Sequence, residues 1–380
     1  MDIQDLRANI NKIDDQMAEL FKERMDTALA IAQYKKENKL PVLDRSRERE
    51  ILSRVAELVG EKYQPYAKIL YSTLFDMSRS AQQLALGHEG ELAKAIERAV
   101  RETPAQFPKK ATVACQGVEG AYSQQACDKI FSLADVMYFG RFDGVFQAVK
   151  AGLCEYGILP IENSAAGSVT EVYDLMKKYD FYIARSIKLK VDHALLVNPG
   201  VKMADIAEVV SHQQAISQCS QFLKDHPNMK VTVMENTAAA AKYVAGSGRT
   251  DVAAISSVGC AELYGLRVLQ ETIQDTDHNY TRFICISKNL QIFQGSNRIS
   301  LMFTIPHRPG SLYSIIAKFA SLGLNLTKLE SRPIPGKDFE FMFYFDLEAT
   351  PDAPEVLNIL SQLERELSNF AFLGGYQEIF

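Results

Sequence analysis

The chain has 380 residues, 47% hydrophobic and 23% charged, with a net charge of -5 at pH 7. At roughly 150 residues per domain this length predicts two or three domains, and the composition excludes both disorder and a fibrous repeat. The acidic balance argues against a general nucleic-acid binder, whose surface needs an excess of cations.

Residues 2–39 contain neither Gly nor Pro, and Ile3, Leu6, Ile10, Ile13, Met17 and Leu20 recur at spacings of three and four. That pattern predicts one long helix. Asp2 is the expected N-cap and Pro41 the stop, giving about 37 residues and roughly 55 Å. Such length predicts packing against a second subunit. A second helix is expected from its cap Asp44 to Gly60, and a third from near Pro65 to Gly87, so the first ninety residues read as all-α.

A polar helical stretch over 90–102 and the proline-bearing segment 103–110 follow, and 91–108 reads as a linker. From Ala111, short β-rich runs at 111–115, 156–161, 208–211, 230–234 and 252–256 alternate with helical patterns, which predicts a wound parallel or mixed sheet. A second polar linker at 289–297 precedes strand 299–305, helix 311–321, strand 324–331, a Pro-Gly hairpin at 333–337, strand 339–347, helix 353–368 and strand 371–376. That βαββαβ order is a ferredoxin-like unit over 298–380. The N-terminus lacks the apolar stretch of a signal peptide, no run of about 18 apolar residues occurs, and the six cysteines form no C-x-x-C pair. The expectation is a reduced, cytoplasmic protein without membrane span, metal or cofactor.

Continuing the seam of the first helix puts Arg24, Thr27 and Ile31 where apolar residues belong. A cation there needs an anionic partner, and the seam offers none. Arg24 and Lys35 lie about 20° apart round the helix and roughly 16 Å along it, so both reach one small anion. Arg7, about 25 Å from Arg24, points instead to a site of the second subunit. The alternative is a solvated basic face. With Asp44, Arg47 and Glu48 at the start of the second helix, and Ser78 and Gln82 beside the seam of the third, the segment 1–90 resembles the all-helical chorismate mutase family. The resemblance implies that Arg7, Arg24 and Lys35 hold the two carboxylates of chorismate and that Lys35 and Gln82 donate to its ether oxygen. Asp44, Arg47, Glu48 and Ser78 then complete the pocket.

In the α/β segment, strand 111–115 runs into Gln116-Gly117-Val118-Glu119-Gly120-Ala121-Tyr122-Ser123, a loop before a helix that suits an anion or is simply a tight turn. It is not a complete dinucleotide fingerprint, and no G-x-S-x-G, H-E-x-x-H or P-loop occurs. Strand 156–161 ends in Glu162-Asn163-Ser164 followed by Gly167-Ser168-Val169-Thr170, so two small-residue loops face one crevice. Together with Glu235-Asn236-Thr237 and Thr281-Arg282-Phe283, this set closely resembles prephenate dehydratase. The resemblance implies two lobes of the periplasmic-binding type, hinged near 190 and 270. Thr281 is then the catalytic hydroxyl, and Ser123, Glu162, Asn163, Ser164, Thr170, His193, Thr237, Arg282 and Phe283 line the pocket. The proton source stays open between Thr281 itself, Glu162 and a bound water.

Pro309-Gly310-Ser311-Leu312 and Glu330-Ser331-Arg332-Pro333 are similar to segments of ACT domains. That implies L-phenylalanine as effector, held by Pro309, Gly310, Ser311, Leu312, Asn325, Glu330 and Ser331. The whole chain resembles the bifunctional chorismate mutase/prephenate dehydratases, with mutase at 1–90, dehydratase at 109–288 and ACT unit at 298–380. It is expected to form a homodimer or dimer of dimers and to bind neither nucleic acid nor membrane. A rival reading is a transcription regulator with a helical DNA-binding head and a two-lobed sensor, but that head needs short helices. A pure amino-acid-binding protein is weakened by the missing signal peptide.

Overall fold

The computed structural model describes residues 2–38, 40, 44–85, 90–334 and 340–380, the side chains of 83–85 excepted. Contacts divide the chain into two compact units that interleave in sequence. One comprises Met1–Glu97, Met302–Phe345 and Asp352–Ala371, the other Arg98–Leu301, Asp346–Pro351 and Phe372–Phe380.

In the first unit the long apolar seam becomes α1 (Ile3–Glu37), which starts as expected at Asp2, whose N–H donates to the Asp5 carboxylate at 3.2 Å. It packs on α3 (Gln64–Ala85), which also carries α2 (Arg45–Val59). Asp44 caps α2 by accepting from the N–H groups of Ser46 and Arg47. The expected stops at Pro41 and Gly87 and the tip of the hairpin at 335–337 lie outside the described residues. Along α1 only Ala28 and Ala32 are buried, whereas Ile3, Leu6, Ile10, Ile13, Met17 and Leu20 are 41% to 64% exposed and Thr27 and Ile31, further along the same seam, are exposed too.

Within residues 91–108 the helical stretch expected over 90–102 is present. It forms α4 (Glu91–Glu102), an amphipathic helix that buries Ala93, Ile96 and Ala99. The chain enters α4 through Gly90, whose N–H donates to Ser361 Oγ at 3.2 Å. A β-carbon on Gly90 would stand 2.7 Å from the Glu364 carboxylate, so any other residue there would have to displace the Glu364 side chain.

The α/β unit alternates β1 (Lys110–Gln116), α5 (Tyr122–Ile130), β2 (Leu133–Phe139), α6 (Phe142–Lys150), β3 (Tyr156–Asn163), the short β4 (Gly167–Ser168), α7 (Thr170–Tyr179) and β5 (Tyr182–Lys190). Its second lobe holds β6 (Ala194–Val197), β7 (Glu208–His212), α8 (Gln213–Gln218), α9 (Ser220–Asp225), β8 (Lys230–Met234), α10 (Thr237–Ser247), β9 (Val252–Ser256), α11 (Val258–Tyr264) and β10 (Arg267–Gln270). The chain then returns to the first lobe as β11 (Tyr280–Ser287). Instead of one wound sheet there are two: β5-β11-β3-β1-β2 in one lobe and β10-β6-β9-β7-β8 in the other. The lobes are joined near 190–194 and 270–280, close to the expected hinges.

β11 lies antiparallel between β3 and β5, with Thr281 opposite Asn163 and Leu189, and Arg282 opposite Glu162 and Lys188. The stretch 103–110 and the second polar linker are also packed: Phe107 lies 4.7 Å, centroid to centroid, from Phe293, and the Arg185 guanidinium stacks 4.0 Å over Phe107. Two aromatic rings outweigh a linker-like composition, because each buries a large apolar area.

The C-terminal order β12 (Arg298–Thr304), α12 (Ser311–Ser321), β13 (Asn325–Pro333), β14 (Phe341–Glu348), α13 (Pro354–Glu366), β15 (Ser368–Ile379) is the βαββαβ pattern read from sequence. The strands adjoin as β13-β14-β12-β15. The last residues of β15 pair in parallel with β5, Gln377 opposite Arg185 and Ile379 opposite Ile187. Gly374 permits this, since at φ +144 a β-carbon there would fall 2.3 Å from the Ile183 carbonyl oxygen.

Gly374→Ala is therefore expected to destabilise the α/β unit by about 1–3 kcal/mol, the usual cost of an overpacked site. Gly200→Ala, also at positive φ but with open space around it, should cost less; thermal melts of the two variants check the order.

Candidate functional site

In the helical head, the half-buried Arg24 donates to Ser78 Oγ at 2.6 Å and to the Leu74 carbonyl at 3.3 Å, with its guanidinium 5.7 Å over the Phe75 ring. Ser78 and Gln82 are buried together on α3, and Gln82 Oε1 has no hydrogen-bond partner in this chain. Lys35 is half-buried two turns past Ala28 on α1, whereas Arg7 is exposed. Glu48 is bound by Arg79, which also holds Asp76. Arg79 was not legible as a site residue, since only the packing of α2 on α3 brings it to Glu48. Arg47 is exposed and pairs with Glu50 at 2.8 Å, and Asp44 is engaged as a cap. Arg24 and Ser78 are thus brought together, with Gln82 one turn further along α3, while Glu48 is fixed by its ion pair with Arg79.

The α/β site centres on Thr281. Asn163 Nδ2 donates to Thr281 Oγ1 at 2.9 Å and to Asn279 Oδ1 at 2.9 Å, while its Oδ1 accepts from the Ala165 and Ala166 N–H groups. An amide nitrogen can only donate, so the Thr281 oxygen is the acceptor and its own hydrogen is left to point elsewhere. Asn279 Nδ2 donates to Gln218 Oε1 at 3.0 Å, and the same oxygen lies 2.9 Å from His193 Nε2. Because that oxygen only accepts, His193 carries its proton on Nε2, leaving Nδ1 a bare, buried acceptor without a partner. Desolvation holds His193 below its ordinary pKa, against smaller raising effects of Gln218 and Asp192. Asn279 and Gln218 complete a hydrogen-bonded chain from Thr281 to His193, and neither was found from sequence because nothing local marks them.

Ser164 fastens the loop after β3 to the start of β11: its Oγ donates to the His278 carbonyl at 3.0 Å and accepts from the Tyr280 N–H at 2.9 Å. Ser123 is buried in the first turn of α5. The loop before it is largely closed on itself, since the Gly117 N–H donates to the Phe139 carbonyl and the Gly120 N–H to Gln124 Oε1. It is therefore mainly a tight turn. That turn abuts the start of α10, where Thr237 follows the cap Asn236. Glu162 is partly exposed beside Asn163, and Thr170 opens α7 on the surface.

Three expected pocket residues, Arg282, Glu162 and Phe283, face elsewhere. Successive residues of a strand point to opposite faces: Arg282 turns away from the Thr281 hydroxyl to Asp346 and Glu378, with Glu162 Oε2 at 3.8 Å. Phe283 is buried in the core formed by β1, α5, β3 and β5.

In the C-terminal segment a cavity of 350 Å³ is lined by Pro309, Ser311 and Leu312 as expected, and also by Arg308, Phe341 and Phe343. Gly310, at φ +83, caps α12. Asn325, Glu330 and Ser331 lie on β13 and are not among its walls. Ser314 on α12 donates to Asp76 on α3 at 3.2 Å. Among the described residues no cluster of three His, Cys, Asp or Glu side chains suits a metal, and no helix is long and apolar enough to cross a membrane.

Comparison with known proteins yields three family matches: Chorismate mutase type II over residues 6–83, Prephenate dehydratase over 113–291 and ACT domain over 299–365. The Bifunctional chorismate mutase/prephenate dehydratase of Escherichia coli (strain K12) is 30% identical over 380 residues, covering 98% of this chain and 95% of that protein. Arogenate dehydratase/prephenate dehydratase 2, chloroplastic, of Arabidopsis thaliana is 37% identical over 276 residues, covering 70% and 72%. Among solved structures, a prephenate dehydratase from Arthrobacter aurescens in complex with L-Phe is similar at 29% identity and a TM-score of 0.64, covering 70% of this chain and 90% of that one.

The depressed pKa of His193 means that folding favours its neutral form, so this contribution to stability is fully present above the ordinary histidine value of about 6.5 and is lost as pH falls below it. The urea midpoint of the α/β unit should fall between about pH 7.5 and 5.5, and less so in His193→Gln.

Proposed function

The chain belongs to the bifunctional chorismate mutase/prephenate dehydratase family, and from that premise we propose that it carries out both reactions of phenylalanine biosynthesis in separate sites. The helical head rearranges chorismate to prephenate. The α/β unit then converts prephenate to phenylpyruvate with loss of CO2 and water.

The mutase reaction is intramolecular and needs no nucleophile, only a compact conformer with the charge at the breaking C–O bond stabilised. Arg24, held over Phe75 by Ser78, is a fixed cation for one carboxylate. Lys35 and Gln82 supply donors for the ether oxygen, each such preorganised donor being worth about 3 kcal/mol of barrier. Asp44, Arg47 and Glu48 border the ring. The uncovered first half of α1 supports a second copy packed along it, with Arg7 reaching the partner's site; a dimer or dimer of dimers follows.

In the dehydratase site the observation that carries the reading is the bond from Asn163 Nδ2 to Thr281 Oγ1. It occupies the hydroxyl's oxygen and leaves its hydrogen to be given to the departing hydroxyl of prephenate. Loss of CO2 supplies the electron pair that expels this group, so the site has to orient a dianion and deliver one proton. Threonine is a poor acid, so Thr281 acts as donor or relay with a bound water behind it; Glu162, opposite Arg282 and 3.8 Å from its guanidinium, faces the other side of the sheet. Ser123, Ser164, Thr170, His193 and Thr237 border this pocket.

We place L-phenylalanine at the cavity beside Pro309 and Ser311, where the start of α12 suits its carboxylate and Phe341 and Phe343 suit its ring. Glu330, Ser331 and Asn325 on the exposed strand β13 would contribute from a paired copy. The six buried, unpaired cysteines accord with a reducing cytoplasm.

Lys35→Ala should lower chorismate consumption by about two to three orders of magnitude yet still convert supplied prephenate. Thr281→Ala should let prephenate accumulate from chorismate, with its dehydration about 10²–10⁴-fold slower. Separate assays on each substrate decide, and parallel loss of both activities in either variant contradicts a two-site enzyme. Mixed Arg7→Ala and Lys35→Ala subunits should regain mutase activity if Arg7 serves the partner; no recovery with verified exchange would remove it from that role.

A further inference from the structure

One buried charge cluster touches the residues named above only through Glu162, whose Oε2 lies 3.8 Å from Arg282 Nη1. On the reverse face of β11 from the Thr281 hydroxyl, Arg282 Nη1 bonds Asp346 Oδ2 on β14, Nη2 bonds the Tyr376 hydroxyl on β15, and Nε lies 3.1 Å from Glu378 Oε2 on β15. Ser300 on β12 closes the set, its Oγ bonded to Asp346 Oδ1 and 2.6 Å from the Tyr376 hydroxyl. Glu378 also takes Lys188 at 3.1 Å and Arg298 at 3.4 Å, and Arg298 reaches Glu348 at 3.0 Å. The side chains of Arg282, Asp346 and Glu378 are only 9%, 10% and 4% exposed.

Merely holding strands together does not require such a set, because a buried ion pair exchanged for apolar side chains of similar volume often leaves stability unchanged or improved. What charges with fixed hydrogen bonds add is position: a guanidinium fork hydrogen-bonded through both Nη1 and Nη2, with the Glu378 carboxylate as ion-pair partner beside its Nε, has one placement. The placement it fixes here is that of the residue next to Thr281. Two of the strands that hold it also lead to the 305–312 cavity. Phe343 of the cavity wall stands three residues before Asp346 on β14, and β12 carries Ser300 and runs directly into the lining residues Ile305 and Pro306.

We propose that Arg282 is a positioning residue for Thr281, set in place by Asp346, Tyr376 and Glu378, and that a ligand shifting β12 or β14 reaches the dehydratase hydroxyl through it. The proposal rests on the dehydratase reading given above. Arg282 accordingly does not contact prephenate.

The test uses the full chain and three variants, Asp346→Asn, Tyr376→Phe and Arg282→Lys, each assayed for kcat and KM with prephenate and for inhibition by added L-phenylalanine. Asp346→Asn should lower kcat about 10- to 100-fold with KM within about twofold, as expected when a reacting group is misplaced and substrate contacts are kept. It should also move the L-phenylalanine inhibition curve. Tyr376→Phe should act in the same direction and less, and Arg282→Lys should not restore the wild-type values, because an ammonium cannot meet three partners as the fork does. Lower melting temperatures with wild-type kcat and an unchanged inhibition curve would make the cluster structural only and overturn the proposal. A raised KM at unchanged kcat would return Arg282 to substrate binding and overturn it equally. If Asp346→Asn does not fold, Tyr376→Phe, which loses a single hydroxyl, decides by the same criteria. A wild-type chain without any turnover of prephenate would instead end the dehydratase reading itself, an outcome read before any variant is made.

Discussion

The dehydratase half depends on the register of one strand. β11 is paired antiparallel on both sides, and its pairing with β3 sets Thr281 opposite Asn163. A slip of one residue would exchange the faces of every side chain on β11, bringing the Arg282 guanidinium into the cleft and burying the Thr281 hydroxyl among charges. The register is held on one face by amides and by the Ser164 clasp, on the other by a buried ion cluster. Both are directional, which a purely apolar interface is not.

The two sites solve different problems with the same economy of means. In the head, a rearrangement needs charge placed along a fixed ether bond, and the cations proposed for it, Arg24 and Lys35, stand at fixed intervals on one long helix. In the α/β unit, a departing hydroxyl needs a proton at one point, and on the proposed reading that point is the Thr281 hydroxyl, which a chain of side-chain amides from His193 through Gln218, Asn279 and Asn163 orients. Amides do not titrate in the working range of pH, so this chain orients Thr281 without exchanging protons with it. His193, neutral and desolvated at its far end, adds no charge that would disturb the arrangement.

The elements with strong periodicity were legible: the seam of α1, the caps Asp2 and Asp44, and the βαββαβ order of the C-terminal segment all follow from local spacing. Strands β2, β5 and β10 were not anticipated; β2 and β10 are short edge strands with mixed exposure, whose sequences alternate too weakly to announce themselves. The supposed linkers failed for a related reason, since Phe107 and Phe293 are single anchors in polar surroundings. Of the candidate site, Arg24 stood out by its place on the helical seam, whereas Thr281, Asn163, Ser78 and Gln82 were named through the family resemblance. Asn279, Gln218 and Arg79 could not be named either way, because what recruits them is a hydrogen bond across the fold. Arg282 was named with the wrong partner in view: its anions lie 64 and 96 residues downstream, where no local pattern connects them to it.

That one chain holds two successive catalytic sites is the central claim, and a time course of the purified full-length protein supplied with chorismate alone tests it most directly. Prephenate should rise first and phenylpyruvate after it, with added L-phenylalanine slowing the second step. Chorismate left unchanged, or prephenate accumulating without any phenylpyruvate, would contradict the account.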